Sequence, residues 1–297
     1  MTLQRLADRI KPMVPKRTAK RIVRARLRAR VLTGSLRGLP DFLIVGGMRC
    51  GTSSLYKWLG HHPSVVPSLR KEIHYLSIDH AQGERWYRAH FPLRLRIGLA
   101  RVLGRRLQTF EATPDYLFLP HAAVRAARLM PDARIIALIR NPVDRAISHY
   151  HHMVRIGKEP LGLQEALFSE EERLAGEWAH LENDPDYPCL NLRRYSYVAR
   201  GFYAQQLDAW AQFYPRARIL VVKSDDLYRH PAETYQEVLR FLDLPPWEPG
   251  VFRNYSYVRD EPEVRSEATT GMRDWLAERF EAPNLRLAEW LGRDPGW

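Results

Sequence analysis

The chain has 297 residues, 45% hydrophobic and 27% charged, a composition that excludes a disordered, collagenous or repeat protein and suits one large domain or two small ones. No apolar run approaches the roughly 18 residues that span a bilayer, and the two cysteines, Cys50 and Cys189, imply no disulfide framework. The formal charge of +12 is unevenly placed: residues 1–38 hold 12 Lys/Arg against one acid, Asp8, which leaves 34 basic and 33 acidic residues beyond.

The basic arm, residues 1–38, comes first. A helix from about Thr18 to Leu32 carries a narrow apolar stripe and a strongly basic face. That pattern suits an anionic membrane surface, and it suits a solvated, partly disordered tail equally well. Nucleic acid is disfavoured, since no binding module follows the arm. The start lacks a secretory leader, so the expected location is the cytoplasm, with a peripheral place on the inner face of the membrane if the arm meets lipid.

The body begins near Leu39-Pro40. Phe42-Leu43-Ile44-Val45 reads as a buried strand, Gly46 to Ser54 as a loop, and the next residues to about Gly60 as a helix. The runs Arg134 to Ile139 and Ile219 to Val222 are further strands, followed by helices from about Pro142 to Arg155 and Pro231 to Leu242. Helical patterns also fill 120–130, 162–179, 190–213 and 271–292. Buried strands each followed by a helix predict an α/β fold over 39–297: one P-loop-like domain with a central parallel sheet and helices on both faces.

The loop Gly46-Gly47-Met48-Arg49-Cys50-Gly51-Thr52-Ser53-Ser54 has the glycine spacing and the strand–loop–helix setting of a phosphate cradle. It departs from a nucleotide triphosphatase in two ways. Thr52 stands where that motif needs Lys, with Arg49 supplying the charge, and no strand ends in an Asp to hold Mg²⁺. The loop therefore fits an anionic group without metal better than a triphosphate with Mg²⁺. A second cluster, Arg140 to Ser148, lies at the carboxyl end of a strand, where open sheets bind ligands. Its guanidinium and hydroxyl could hold a second phosphate.

Two phosphate sites without metal machinery resemble the sulfotransferases that use 3′-phosphoadenosine 5′-phosphosulfate (PAPS), most closely their heparan-sulfate-type and bacterial branch. The resemblance runs through nearly all of 40–297. It implies that Arg49, Cys50, Gly51, Thr52, Ser53 and Ser54 hold the 5′-phosphosulfate, with Arg49 where the family often has Lys. Arg140 and Ser148 match the pair that binds the 3′-phosphate. Arg200-Gly201-Phe202-Tyr203 is similar to the family's helix near that phosphate, so Arg200, Gly201 and Tyr203 join the cofactor set. Lys71-Glu72-Ile73-His74-Tyr75-Leu76 is similar to a Lys-Glu-x-x-Phe-Phe segment, and Phe110-Glu111-Ala112-Thr113-Pro114-Asp115-Tyr116 to a Glu-Lys-x-Pro-x-Tyr segment, with Ala112 replacing the Lys.

The implied reaction is in-line sulfuryl transfer to a hydroxyl or amine of a carbohydrate, glycolipid or small molecule, without metal. Arg49 and the loop amides would stabilise charge, and PAP (adenosine 3′,5′-bisphosphate) would remain. The acceptor needs a base. Glu111 is the first candidate, by its match to the family's catalytic Glu. His152, four residues after Ser148 on one helix face, is the second. Lys71 could reach the sulfonate or an acidic acceptor, and His74 could contact substrate. Cys50 reads equally as a small packing residue. A soluble or peripheral bacterial enzyme is expected, because the anchored Golgi members of the branch carry features absent here. Two other readings compete: a P-loop small-molecule kinase using ATP, and a non-catalytic membrane adaptor acting through the arm.

Overall fold

The computed structural model describes residues 16–255 and 268–297; the first fifteen residues of the basic arm lie outside the described residues. Five strands form one all-parallel sheet: β1 (Phe42–Gly46), β2 (Val65–Pro67), β3 (Gln108–Ala112), β4 (Arg134–Ile139) and β5 (Ile219–Lys223). Their order is β2-β3-β1-β4-β5, so β1 lies in the middle. Among the described residues eight helices have nine residues or more. They are α1 (Lys16–Val31), α2 (Thr52–His61), α3 (Arg94–Val102), α4 (Pro120–Leu129), α5 (Pro142–Arg155), α6 (Tyr203–Ala211), α7 (Pro231–Phe241) and α8 (Ala268–Leu291).

Alternation along the strands builds the two faces of the sheet. Leu43, Val45, Ile135, Ala137 and Ile139 point to one side, with Ala122 and Ala126 of α4 and Leu207 and Trp210 of α6. Phe42, Ile44, Ile136 and Leu138 point to the other, with Leu55 and Leu59 of α2 and Val238 and Leu239 of α7. Both faces are covered, which is why β1 reads as an uninterrupted apolar run. The predicted single parallel-sheet domain with helices on both faces is the observed one.

The differences are local. The helical pattern 162–179 is three short helices, interrupted at Ser169 and at Gly176, whose φ is 77°. The pattern 190–213 breaks between Leu190–Tyr195 and α6, because the intervening residues turn inward to bury Tyr197 and Arg200. The short edge strand β2 carries only three residues and gave no period to read.

Strand direction sets where chemistry can occur. The carboxyl ends of β1, β3 and β4 converge on the loops that begin at Gly47, Thr113 and Arg140. α1 and α3 enter the sheet at its opposite end, just before β1 and β3.

Candidate active site

At the end of β1 a Cβ on Gly46 would lie 2.4 Å from the Leu138 carbonyl oxygen, so only glycine lets β1 and β4 run this close before the loop turns. Arg49 then takes a left-handed backbone, φ 74°, at a cost of order 1–3 kcal/mol for a non-glycine residue. α2 begins at Thr52. The N–H groups of Gly51, Thr52 and Ser53 belong to a first helical turn, where no intrahelical acceptor exists and the helix dipole is positive. They open on a cleft of about 340 Å³ that Met48, Arg49, Thr52 and Ser53 line from one side.

Two of the predicted loop contacts face elsewhere. Cys50 is fully buried, its N–H donates to the Gly47 carbonyl at 3.2 Å, and burial pushes its thiol up to about 11. It packs, 4.0 Å from the Tyr203 hydroxyl. Ser54 is fully buried too, sharing a hydrogen bond with the Tyr228 hydroxyl at 3.1 Å and accepting one from the Tyr255 N–H at 2.9 Å. Both residues support the loop from behind.

The cationic side is built on α5. Asn141 caps it, accepting from the N–H groups of Val143 and Asp144. Ser148 and His152 follow one turn apart. Arg49 Nε donates to Ser148 Oγ at 3.1 Å, joining the loop to α5. Burial lowers the Arg49 pKa first, and Arg155 and Arg140 lower it further. His152 is lowered by burial and then by Arg49 and Arg155, and its Nδ1 lies 2.7 Å from Arg155. Beneath the loop Arg145 is fully buried, and two of its nitrogens have no hydrogen-bond partner. The cluster is a positive field that an anion would relieve. Arg140 is part-exposed beside it, 3.9 Å from Asp144, and does not line the cleft.

Opposite the loop basic and acidic side chains alternate. Lys71 Nζ lies 2.6 Å from Glu72 Oε1, Glu72 Oε2 3.7 Å from His74 Nε2, and His74 Nδ1 3.5 Å from Asp115. Asp115 is held in turn by Arg193 at 2.8 Å and Arg200 at 3.1 Å. Glu72 and His74 both have left-handed backbones, φ 59° and 62°, while Ile73 between them is buried in the core. That alternation turns both polar side chains into the cleft. Burial pushes the Glu72 carboxyl up, but hydrogen bonds and charge from His74 and Lys71 outweigh it and hold the group down at about 2. Burial likewise opposes ionisation of Asp115, yet Arg200, Arg193 and His74 keep it well below the usual carboxylate range.

Glu111, the first base candidate, is elsewhere. It sits in β3 in register with Leu43 and therefore shares the core face with Tyr87 and Tyr116. It is fully buried and accepts hydrogen bonds from Tyr87 at 2.6 Å, Thr113 at 2.8 Å and Tyr116 at 3.2 Å. Three hydroxyls occupy it, and it does not line the cleft. Burial raises its pKa against those bonds. Glu111→Gln should lower stability by about 1–3 kcal/mol, the cost of an unsatisfied buried group, while kcat per folded molecule stays within about threefold. Thermal melting beside single-turnover kinetics checks both, and loss of turnover in a fully folded variant would return the base to Glu111.

Arg200 is also fully buried. It pairs with Asp115, donates to Ser196 Oγ at 2.8 Å and lies 4.4 Å over the Phe118 ring. Gly201 makes room for α8: a Cβ there would lie 2.4 Å from the Phe280 ring. Tyr203 donates to the Arg140 carbonyl at 2.9 Å. These three residues therefore position Asp115, α8 and Arg140. The cleft residues that sequence reasoning passed over are Glu72, Asp115, Arg193 and Tyr255. Glu72 had a usable signal, since it alternates with a buried Ile73 beside Lys71 and His74.

Residues 39–258 match the sulfotransferase domain family. Among curated proteins the chain is 25% identical to a membrane-associated sulfotransferase of Dictyostelium discoideum, over 89% of this chain and 68% of that one. It is 32% identical to human heparan sulfate glucosamine 3-O-sulfotransferase 6, over 70% of this chain and 53% of that one. It is 30% identical to the mouse bifunctional heparan sulfate N-deacetylase/N-sulfotransferase 4, over 70% of this chain. The chain spans only 23% of that bifunctional protein. Among solved structures a sulfotransferase from Alicyclobacillus acidocaldarius is similar, with a TM-score of 0.61 and 30% identity over 86% of this chain and 97% of that one.

Proposed function

The chain belongs to the sulfotransferase family, and from that premise we propose that it moves a sulfuryl group from PAPS to a hydroxyl or amine of a carbohydrate, glycolipid or small-molecule acceptor. One observation carries the reading: helix N-terminal amides and Arg49 share a single cleft with the Glu72 carboxylate. The donor set fits a phosphosulfate, since first-turn amides, hydroxyls and a guanidinium are hard anion donors. Arg49, Gly51, Thr52 and Ser53 would hold its 5′ end, and Arg140 and Ser148 would serve the 3′-phosphate. When bound, PAPS supplies an activated sulfuryl group on a phosphate leaving group.

The chain's own groups do the rest. Glu72 is ionised at neutral pH and takes the acceptor's proton. A carboxylate held at about 2 is a weak base. An anion that draws Lys71 toward itself removes part of that hold and raises the basicity of Glu72. Arg49 and the loop amides take up the charge that develops on the leaving side. His74, oriented by Asp115, and His152 border the space for the acceptor. The named activities of the heparan sulfate relatives favour a carbohydrate. The name of the Dictyostelium relative fits contact of the basic arm with an anionic lipid surface. Family membership counts against the kinase and adaptor readings.

Calorimetric titration with PAP, and separately with ATP and Mg²⁺, tests the donor. PAP should bind without metal and ATP–Mg²⁺ weakly. Tight ATP–Mg²⁺ binding with PAP ignored would revive the kinase.

A further inference from the structure

α3 is a surface helix whose apolar face has no partner among the described residues. Leu95, Leu99 and Val102 recur at i, i+4 and i+7, so they share one side, and Leu103 continues it. They are 55–83% exposed. Ala100 is the only fully covered residue of the helix. Arg94 and Arg101, seven residues apart, form a basic row next to the apolar one, and Arg96, Arg105 and Arg106 are exposed as well.

α3 does not stand alone. Leu93 bridges to Arg37, Gly38 N–H donates to the Pro92 carbonyl at 3.0 Å, and Arg37 donates to the Phe91 carbonyl at 2.9 Å. Arg30 at the end of α1 also bonds Phe91, and Arg94 bonds the Ser35 carbonyl. These bonds fix α3 beside the carboxyl end of α1, where Leu32 and Leu36 are exposed at 84% and 60%. Residues 21–37 and 94–106 together hold eleven arginines and no acid. Arg30 registers the result: burial first, then Arg37, Arg26 and Arg96, lower it to about 10.

We infer that α3 and the carboxyl half of α1 form one docking face for an anionic lipid bilayer, with the leucine and valine row entering the acyl boundary and the arginines meeting the headgroups. This deepens the reading of the basic arm and rests on it for the lipid partner. A soluble protein gains nothing from exposing such a row, whereas an interface helix pairs apolar insertion with basic flanks. Charge decides the lipid: two segments whose eleven arginines, nine of them exposed, come with no acid of their own are complementary to an anionic leaflet.

The face also sets an orientation. It precedes the amino ends of β1 and β3, and the cleft lies beyond their carboxyl ends, so the length of the strands separates the two. A docked molecule therefore turns its cleft away from the bilayer. The acceptor it reaches stands clear of the lipid surface, as a soluble or long-headed glycan does.

The test is co-flotation of the full chain with phosphatidylcholine vesicles, with and without phosphatidylglycerol. Binding should be about tenfold or more tighter to the anionic vesicles. Leu99→Glu/Val102→Glu should weaken it about tenfold, and Arg24→Glu/Arg28→Glu should weaken it independently, with PAP affinity and circular dichroism unchanged in both. Both native cysteines are buried, so an environment-sensitive dye on Val102→Cys labels one site and should shift to the blue on anionic vesicles. If only the α1 variant weakened binding and the dye stayed in water, the arm would dock alone and the α3 face would be refuted. If neither vesicle bound, or if the chain bound duplex DNA or RNA and ignored lipid, both readings would fall.

Discussion

Glu72→Gln should lower kcat by about 10²- to 10⁴-fold, the range for removing a positioned general base, with PAP affinity within about threefold of the parent. The substitution keeps the shape and the contact with Lys71 but cannot take up a proton. The pH profile carries an independent signature. The Glu72 carboxyl is held at about 2, so its basic form is present above that value and is lost only as pH falls through it. The acid limb of kcat/KM should therefore lie below the ordinary carboxylate range of about 4.3. Lys71→Ala removes one of the two groups that lower Glu72, so the same limb should move upward. A limb near neutrality that vanished in His152→Ala would assign the proton to His152. Full turnover by Glu72→Gln would leave the acceptor's proton to another group altogether.

Arg49→Ala should weaken PAP binding by about 10- to 100-fold, the worth of one or two charge-assisted hydrogen bonds, and lower kcat by a further 10²-fold or so. Its guanidinium is the one that both lines the cleft and bonds Ser148. Arg49→Lys keeps the charge but loses the fork and the Nε donor, so it should recover more affinity than rate. Arg49→Gly separates function from folding. The backbone at 49 is left-handed, φ 74°, which glycine accepts without strain. That variant should melt no lower than the parent while losing the same activity as Arg49→Ala. Calorimetry, melting and initial rates on the three variants check the set. Unchanged PAP affinity in Arg49→Ala would move the phosphate site off the loop.

The two carboxylates show where sequence reasoning reaches its limit. Glu72 and Glu111 both lie in segments similar to those of one family, each with an aromatic residue nearby. The local difference is the pair Lys71 and His74 that flanks Glu72 and has no counterpart beside Glu111. β3 is in register with β1, and that pairing puts Glu111 on the face shared with Leu43, under three hydroxyls. Left-handed turns at 72 and 74 aim Glu72 and His74 the other way. Arg200 follows the same rule: its motif suggested a phosphate ligand, and the structure buries it over Phe118 and pairs it with Asp115.

What the amino-acid order determined by itself is the parallel α/β architecture, the glycine loop without its lysine, and the basic cluster after β4. Those features rest on short-range patterns: apolar runs long enough for buried strands, and glycines where backbones must touch. Only the tertiary structure decided which acid lines the cleft, which loop residues face it, and that α3 carries an exposed apolar row beside α1. Each of these depends on which residues from distant segments share a face. Strand register and helix packing set that, and the hydrophobic pattern of a single segment does not encode it.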